Sequence, residues 1–513
     1  MRIENSLKNF SSGLAINLVN SILTFFSRTI FIRVLGTSYL GVNGLLTNVL
    51  SMLSLAELGV GTAINFSLYK PVAEGDNEKI ALLMNFYKKI YRWIGLLVFC
   101  VGLILMMFLD VIIKNPGDVK NLKLIFIIYL VNTAYSYLMS YKNTLLSANQ
   151  KDYLLASANI IFNILTIVTQ ILVLLIAKNY IMYLLTNMLM LFIQRLYINN
   201  KITKMYPLLK EKMTEKLPKE DLKAIIKNVK AMMFHKIGDY CINGTDNIIM
   251  SAFISVSIVG LYSNYLMIIT TVDGIIVMFF NSMTASLGNL IATESDEKKI
   301  EIFEVINFIG FWLFGFATIC FYNLLNPFIE LWIGKEFLIA SSILIIVLLN
   351  YYLTGMRVPI YAVKAAAGIY DEDKYTPLIK SVVNLVLSIV LVQRWGLAGV
   401  FMGTLVSSIV LPFWQRPYIV CKYALKTSSK RYFIKYSQYL ITIILITLLV
   451  SKILNTFFLE GTVINFIIRM LICTVIPNIV FLLLFRKTKE FKQILNIADR
   501  VLGGRLNWIK WLV

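Results

Sequence analysis

The stretch WIGLLVFCVGLILMMFLDVII occupies residues 93–113 and carries a single charged side chain, Asp110. At the rise of an α-helix it is about 30 Å long, which matches the hydrocarbon core of a bilayer. A helix that is apolar on all sides predicts a membrane span. The whole chain agrees, because 58% of its 513 residues are hydrophobic and 15% are charged. An ordinary soluble domain, a disordered chain and a secreted disulfide scaffold are therefore excluded.

Thirteen further apolar runs follow the same pattern along the chain. The fourteen predicted spans cover residues 13–35, 42–69, 93–113, 122–147, 153–177, 180–199, 231–254, 259–292, 302–326, 337–368, 376–393, 396–420, 433–456 and 463–485. The predicted fold class is an all-α polytopic membrane protein with about fourteen transmembrane helices.

Basic residues are distributed unevenly between the predicted loops. The net charge is +21, with 49 Lys and Arg against 28 Asp and Glu. If the N-terminus is cytoplasmic, 37 of the basic residues lie on the cytoplasmic side and eight lie outside. This bias follows the positive-inside rule and also suits an anionic bilayer surface. It predicts that both termini are cytoplasmic, and it gives no reason to expect a nucleic acid partner.

The chain repeats itself at an offset of about 219–221 residues, so that Gly41 corresponds to Gly260 and Asp152 to Asp373. An even number of spans per repeat gives both copies the same orientation, as in transporters with parallel repeats. The sequence thus predicts two six-helix lobes followed by two unpaired helices. The predicted divisions are an N-terminal lobe (1–200), a basic connector (201–230), a C-terminal lobe (231–425), spans 13 and 14 (426–486) and a cytoplasmic amphipathic tail (487–513) with Trp508 and Trp511.

Polar side chains at helical spacing line one face of several spans, where lipid does not solvate them. Arg and Lys bind phosphate, while amides and hydroxyls bind sugars. The candidate substrate-binding residues are Arg28, Arg357, Lys364, Lys236, Asn20, Thr24 and Tyr361. Contact between packed helices is the alternative for the uncharged members, and snorkelling toward the cytoplasm is the alternative for the two lysines.

Acidic residues within the spans suggest coupling to an ion gradient of H⁺ or Na⁺, because the chain has no nucleotide-binding motif. The candidate coupling residues are Asp239, Asp246, Asp273, Glu57 and His235. Asp239 is favoured, since it lies one turn from His235 and Lys236 and has a salt-bridge partner to exchange with an ion. A static contact with either neighbour is the alternative.

Motifs for catalysis are missing from the sequence. There is no Walker A loop, no HExxH pair and no nucleophile elbow, and the single histidine excludes a multi-histidine metal site. The five cysteines lie far apart in apolar stretches, without CxxC spacing. The sequence predicts a protein that is not an enzyme and holds neither a metal nor an organic cofactor.

Short motifs resemble those of Wzx-type polysaccharide repeat-unit flippases over nearly the whole chain. They are LGVGTA (58–63), SLYKP (67–71), TDN (245–247), VGLYSNY (259–265) and LWIG (331–334). The resemblance implies the polysaccharide-transporter branch of the MATE-like MOP superfamily, with twelve core helices in two bundles and here two more. Its members move undecaprenyl-pyrophosphate-linked oligosaccharides from the inner to the outer leaflet of a bacterial cytoplasmic membrane, and polysaccharide polymerases are their expected partners.

Two sister groups remain as alternatives. Lipid II flippases also have fourteen helices, but spans 2 and 8 here lack the basic residues typical of that group. MATE-type antiporters export organic cations with acidic groups, which Asp239 and Asp246 would supply. Arg28, Arg357 and Lys364 would repel such a substrate.

Overall fold

The structure is a computed structural model, and every secondary-structure element in the part of the chain that it describes is a helix. It describes residues 20–53, 57, 60–113, 115–149, 151–210, 217–219, 221–223, 225–226, 229, 245–369, 372–457 and 462–501. The helices are α1 (20–35), α2 (Thr37–Leu53), α3 (Val60–Glu74), α4 (Asn77–Met106), α5 (Leu109–Ile112), α6 (Leu122–Ser140), α7 (Asn143–Ala148), α8 (Asp152–Ala177), α9 (Tyr180–Met205), α10 (245–253), α11 (Val256–Thr293), α12 (Asp296–Ile333), α13 (Ser341–Gly355), α14 (Val358–Ala366), α15 (Thr376–Val410), α16 (Pro412–Ile419), α17 (Lys430–Phe457), α18 (Val463–Phe485) and α19 (Lys489–Val501).

Ten helical segments of the described chain are long and apolar enough to cross a membrane. The prediction of an all-α polytopic membrane protein is confirmed. Side chains cap the first turns of four of these helices, since Asp76, Asn179, Ser295 and Thr462 each accept a hydrogen bond from a first-turn amide.

Several spans predicted as continuous helices are interrupted within the described residues, which corrects the sequence prediction. Span 3 breaks at Met107 and Phe108, span 4 breaks after Ser140, span 10 breaks at Met356 and Arg357, and span 12 breaks at Leu411. Hydropathy does not register such breaks, because the residues around them remain apolar. The break in span 10 has a local cause: Pro359, in the first turn of α14, has no amide hydrogen to continue the hydrogen-bond ladder.

Spans 11 and 12 form a tight antiparallel hairpin within the long element α15. Gly396 has a non-helical backbone with φ 54° and ψ −131° and reverses the chain. A Cβ atom on Gly399 would lie 2.2 Å from the carbonyl oxygen of Leu391, and one on Gly403 would lie 2.3 Å from Ser388 Oγ. The missing side chains therefore let the two halves touch, and the predicted boundary between residues 393 and 396 is close to the observed turn.

Contacts divide the chain into two compact units, residues 15–263 with 377–385 and residues 264–376 with 386–513. This division follows packing, whereas the predicted lobes follow the repeat. The predicted domain boundaries therefore stay predictions.

In the first unit, α4 and α6 approach closely through small residues. A Cβ atom on Gly95 would lie 3.1 Å from the carbonyl oxygen of Ala134, and one on Gly102 would lie 2.2 Å from a methyl group of Leu130. Tyr87 and Tyr91 extend this buried interface toward the predicted cytoplasmic side. Helix association in lipid depends on such close packing, because apolar surface alone gives no preference for protein over lipid.

In the second unit, α12 packs against α13, α17 and α18. The rings of Phe311 and Tyr439 stack with centroids 4.2 Å apart, and Phe481 lies against the same phenylalanine at 4.9 Å. Trp312 Nε1 donates to Asn478 Oδ1 on α18 at 2.8 Å. Spans 13 and 14, which have no counterpart in the repeat, are thus bound to α12 by aromatic contacts.

Helix α19 falls in the predicted amphipathic tail and is fixed to this unit by charge. Lys435 Nζ contacts Glu490, which is 8% exposed, and also lies 2.9 Å from Glu304 Oε2. Arg431 forms a bidentate pair with the same Glu304. Burial by itself raises the pKa of Glu490, but hydrogen bonding and the positive charges of Lys435 and Arg431 hold it below the usual range. Trp508 and Trp511 lie outside the described residues.

Removing the lysine from this network should release α19. In Lys435→Met, hydrogen exchange of the α19 amides should quicken by about tenfold or more, because Glu490 would be left buried without its cation. The matched control is Lys492→Met, which removes an exposed lysine from α19 itself. Since the pKa of Glu490 is lowered in the folded state, docking should be complete above its unfolded pKa and lost as the pH falls through the folded value. Equal exchange in both variants would contradict this role.

Candidate functional site

Arg28 lies in the second half of α1 and connects two other helices of the first unit. Its Nη2 donates to Ser263 Oγ on α11, and Ser263 Oγ donates to the carbonyl oxygen of Gly260 at 2.6 Å. Tyr183 of α9 lies near the guanidinium, and its ring packs edge-on against Phe31 at 5.2 Å. The predicted phosphate-binding residue is therefore half-buried and held in place by neighbouring helices.

Two predicted sugar contacts lie closer to the predicted cytoplasmic end of α1. Asn163 Nδ2 of α8 donates to Asn20 Oδ1 at 3.2 Å, and Thr24 is exposed. The polar faces of spans 1 and 5 are thus in contact through Asn20 and Asn163. Such a contact is also expected if these polar residues only hold packed helices together. Lys236, Asp239 and His235 lie outside the described residues.

The first turns of α2 and α11 cross at residues that the repeat relates to each other. Ser38 and Ser257 share a hydrogen bond of 3.2 Å across 219 positions of sequence. A Cβ atom on Gly41 would lie 1.9 Å from the carbonyl oxygen of Val256, and one on Gly260 would lie 2.3 Å from that of Thr37. Contact between a residue and its own repeat mate is the geometry of a local two-fold axis. Glycine at both positions is what allows the backbones to touch.

The three described acids among the coupling candidates have different surroundings. Glu57 accepts a hydrogen bond of 2.8 Å from the hydroxyl of Tyr91. Asp246 on α10 lies near Tyr262 of α11, and Asp273 lies near Tyr351 of α13. Within the described chain, no cation lies within ion-pair distance of Asp273.

Lys364 and Tyr361 belong to a buried charge network, here called the Asp373 cluster and defined by Lys364, Tyr361, Asp373 and Arg416. Lys364 Nζ donates to Asp373 Oδ1, and Arg416 Nε lies 3.4 Å from Asp373 Oδ2. The Arg416 guanidinium also lies 4.4 Å from the centre of the Tyr361 ring. Asp373 is 3% exposed and Arg416 is 8% exposed. Lys364 is thus neutralised by an acid, which competes with the predicted contact to substrate.

Sequence reasoning missed Asp373 and Arg416 as partners because both fall at the ends of predicted spans. The internal repeat could have identified both residues, since an offset of 221 relates Asp152 to Asp373 and Arg195 to Arg416. In the first unit Arg195 likewise lies over a tyrosine ring, that of Tyr135, at 5.8 Å. Both repeat-related arginines therefore lie over a tyrosine ring, but the two tyrosines are not at corresponding positions of the repeat.

Arg357 lies at the break between α13 and α14 and is 5% exposed. Its Nη2 donates to Thr354 Oγ1 at 2.9 Å, and Tyr432 and Tyr436 of α17 face its guanidinium. A large substrate reaches this side chain only if α17 moves.

The sequence model of the polysaccharide biosynthesis protein family matches residues 6–284, which are more than half of the chain. The chain belongs to the polysaccharide biosynthesis protein family. No curated protein sequence matches it.

Solved transporters share the fold of this family member at low sequence identity. The lipid II flippase MurJ in an inward closed conformation is 17% identical to this chain. The match covers 93% of this chain and 98% of the MurJ chain, with a TM-score of 0.67. An inward-facing multidrug resistance MATE transporter of the MOP superfamily is 16% identical. That match covers 79% of this chain and 96% of the transporter, with a TM-score of 0.58. A Vibrio cholerae MATE transporter mutant is 13% identical. Here the match covers 82% of this chain and 97% of the mutant, with a TM-score of 0.54. The predicted MATE-like fold is confirmed.

Breaking the Asp373 cluster should strongly destabilise this polysaccharide biosynthesis protein. Asp373→Ala leaves Lys364 and Arg416 buried without their acid, which costs about 3–5 kcal/mol. Thermal unfolding in detergent should show a clearly lowered midpoint. The neighbouring exposed acid serves as the control, so that Glu372→Gln should leave the midpoint unchanged. An unchanged midpoint in Asp373→Ala would mean that the two cations are stabilised in some other way.

Proposed function

We propose that this protein is a flippase of the bacterial cytoplasmic membrane. It moves undecaprenyl-pyrophosphate-linked oligosaccharide repeat units from the inner to the outer leaflet, with both of its termini cytoplasmic. Family membership supports polysaccharide biosynthesis as the process, and the fold of lipid II and MATE transporters supports movement across the membrane. The flipped lipid is then used by a polysaccharide polymerase, its expected partner.

The observation that carries the proposal is Arg28, a guanidinium within an apolar helix that donates to a serine hydroxyl. A planar guanidinium binds a pyrophosphate through two parallel hydrogen bonds, and it does so more strongly than it binds a neutral hydroxyl. Arg28 therefore binds the pyrophosphate in this proposal, and Asn20 and Thr24 bind the sugars. Lys236 adds charge, while Lys364, Tyr361 and Arg357 take part only when their present contacts open.

Transport by alternating access requires an energy source. An ion gradient supplies about 2.3 kcal/mol per charge per 100 mV. The described acids Glu57, Asp246 and Asp273 each lie beside a tyrosine and are proposed ion-binding groups. Asp239 and His235 complete the set of candidates.

A second candidate function is export of organic cations. The observation that favours it is Asp273, a half-buried carboxylate that has no cation within ion-pair distance in the described chain. Such a group attracts a lipophilic cation.

The function is tested with purified protein in liposomes that contain labelled undecaprenyl-pyrophosphate oligosaccharide, with and without H⁺ or Na⁺ gradients. Arg28→Ala should slow flipping by about tenfold or more, because a charge-assisted contact is lost. Arg28→Lys should restore it only in part. Arg33→Ala, which removes an exposed arginine at the end of the same helix, is the matched control.

Two outcomes would overturn the proposal. One is full flipping by Arg28→Ala at normal protein level. The other is an absence of flipping by the wild type, together with transport of organic cations that is abolished in Asp273→Asn. This second result would establish the exporter function.

The crossing of α2 and α11 should open during each transport cycle. In the double variant Ser38→Cys and Ser257→Cys, the two sulfur atoms replace hydroxyls that lie 3.2 Å apart, which suits disulfide formation. Oxidation should stop flipping, and a reducing agent should restore it. Each single cysteine variant is a control and should be insensitive to oxidation. Full activity of the cross-linked protein would show that this crossing stays closed throughout transport.

A further inference from the structure

An open cleft of about 350 Å³ lies at the predicted cytoplasmic end of span 12, between α16 and the start of α17. It is here called the α16 cleft, and its lining includes Val410, Trp414, Gln415, Tyr418, Ser429 and Phe433. All six residues belong to the second unit, and none of them has a part in the proposed transport of substrate. Sites for small molecules occupy about 300–1,000 Å³, so the α16 cleft has room for one lipid headgroup.

Part of the lining of the α16 cleft is aromatic and aliphatic. The rings of Trp414 and Phe433 lie 5.0 Å apart and join α16 to α17. Val410, the last residue of α15, is 57% exposed, and Ile434, which follows Phe433 on α17, is 51% exposed. Exposed aliphatic side chains of membrane-spanning helices contact acyl chains, because burying them in lipid is favourable. The α16 cleft therefore borders on the bilayer at its apolar part.

Polar groups of the same lining still have hydrogen-bonding capacity. Gln415 Oε1 accepts from Thr376 Oγ1 at 2.6 Å, and this bond leaves both amide hydrogens of Gln415 available. In the described chain, neither these hydrogens nor the hydroxyl of Ser429 has a partner. Both groups donate to oxygen acceptors such as those of a phosphate.

Positive charge is available beside the α16 cleft. Lys422 Nζ lies 5.6 Å from the centre of the Tyr418 ring, and Lys430 is the first residue of α17. Both lysines are exposed. Among the described residues, no carboxylate lies within ion-pair distance of either lysine, in contrast to Arg431 with Glu304. The two charges therefore attract an anion that occupies the α16 cleft.

We propose that the α16 cleft binds one anionic glycerophospholipid of the inner leaflet, with a headgroup of the phosphatidylglycerol type. Its phosphate accepts from the Gln415 amide and the Ser429 hydroxyl, and Lys422 supplies the counter-charge. Its glycerol and the first part of its acyl chains pack against Trp414 and Val410. The site is separate from the proposed flippase function and is tested without transport.

An anionic phospholipid matches this lining better than other phosphate compounds do. Tryptophan and tyrosine prefer the headgroup level of a bilayer, as Trp414 and Tyr418 do in this arrangement, and lysines above them extend their ammonium groups to the same level. Inorganic phosphate would leave the aromatic and aliphatic lining without a partner. A zwitterionic phospholipid brings its own ammonium group, which Lys422 and Lys430 repel.

The test follows thermal unfolding of the purified wild-type protein in detergent as phosphatidylglycerol is added. The midpoint should rise and saturate, because the lipid binds the folded state. Phosphatidylcholine and inorganic phosphate should have little effect. In the double variant Lys422→Met and Lys430→Met, the half-saturating concentration should rise by about tenfold or more. The matched control is Lys487→Met with Lys489→Met, which removes two exposed lysines on the same predicted side of the membrane.

A second variant tests the cleft without changing charge. Val410→Trp should fill the α16 cleft and weaken phosphatidylglycerol binding to a similar degree. A phosphatidylglycerol with a photoreactive acyl chain should label peptides that contain Trp414 or Phe433 in the wild type, and label them much less in Val410→Trp.

Three results would overturn the proposal. One is an equal rise of the midpoint with phosphatidylcholine. Another is an equal loss of binding in the two double lysine variants, which would assign the effect to the basic surface as a whole. The third is a rise of the midpoint with inorganic phosphate alone that matches the rise with lipid, which would mean that the ligand is a soluble anion. Should Val410→Trp not fold, the lysine variants and the labelled peptides of the wild type decide the outcome.

Discussion

A charged side chain inside a membrane helix has to find its partner within the protein, because the bilayer core supplies neither water nor counter-ions. The Asp373 cluster meets this condition with one acid and two cations. Arg28 meets it in part with the hydroxyl of Ser263. Arg357 donates to the hydroxyl of Thr354 and lies near Tyr432 and Tyr436. The degree to which each charge is satisfied separates structural groups from groups that can still bind something else.

Hydropathy predicted the helices well and their interruptions poorly. The run at 93–113 begins within α4, which starts at Asn77, and ends in the short helix α5 after a break at Met107 and Phe108. The break at Arg357 was not predictable from apolar character, since residues on both sides are equally suited to lipid. It depends on Pro359, which has no amide hydrogen to continue the hydrogen-bond ladder.

Candidate residues were found from the sequence, but their partners were not. A polar face at helical spacing identified Lys364 and Tyr361 without revealing Asp373, because that acid follows the helix in a short connection. Periodicity reports which side chains share one helix face and says nothing about a neighbouring helix. The repeat does carry that information: the same offset that relates Gly41 to Gly260 brings Ser38 and Ser257 into contact. An internal repeat therefore predicts not only which residues are similar but also which of them are in contact.

The contact between Trp312 and Asn478 has a consequence for synthesis. The two residues are 166 positions apart, so α12 leaves the ribosome long before its partner on α18 exists. At about 5–20 residues per second, this interval is roughly ten to thirty seconds. During that time the indole N–H and the aromatic face of α12 lie in lipid or against an insertion factor. The contacts between α12 and α18 thus form only after α18 has entered the membrane, which leaves the indole of Trp312 without this partner until then.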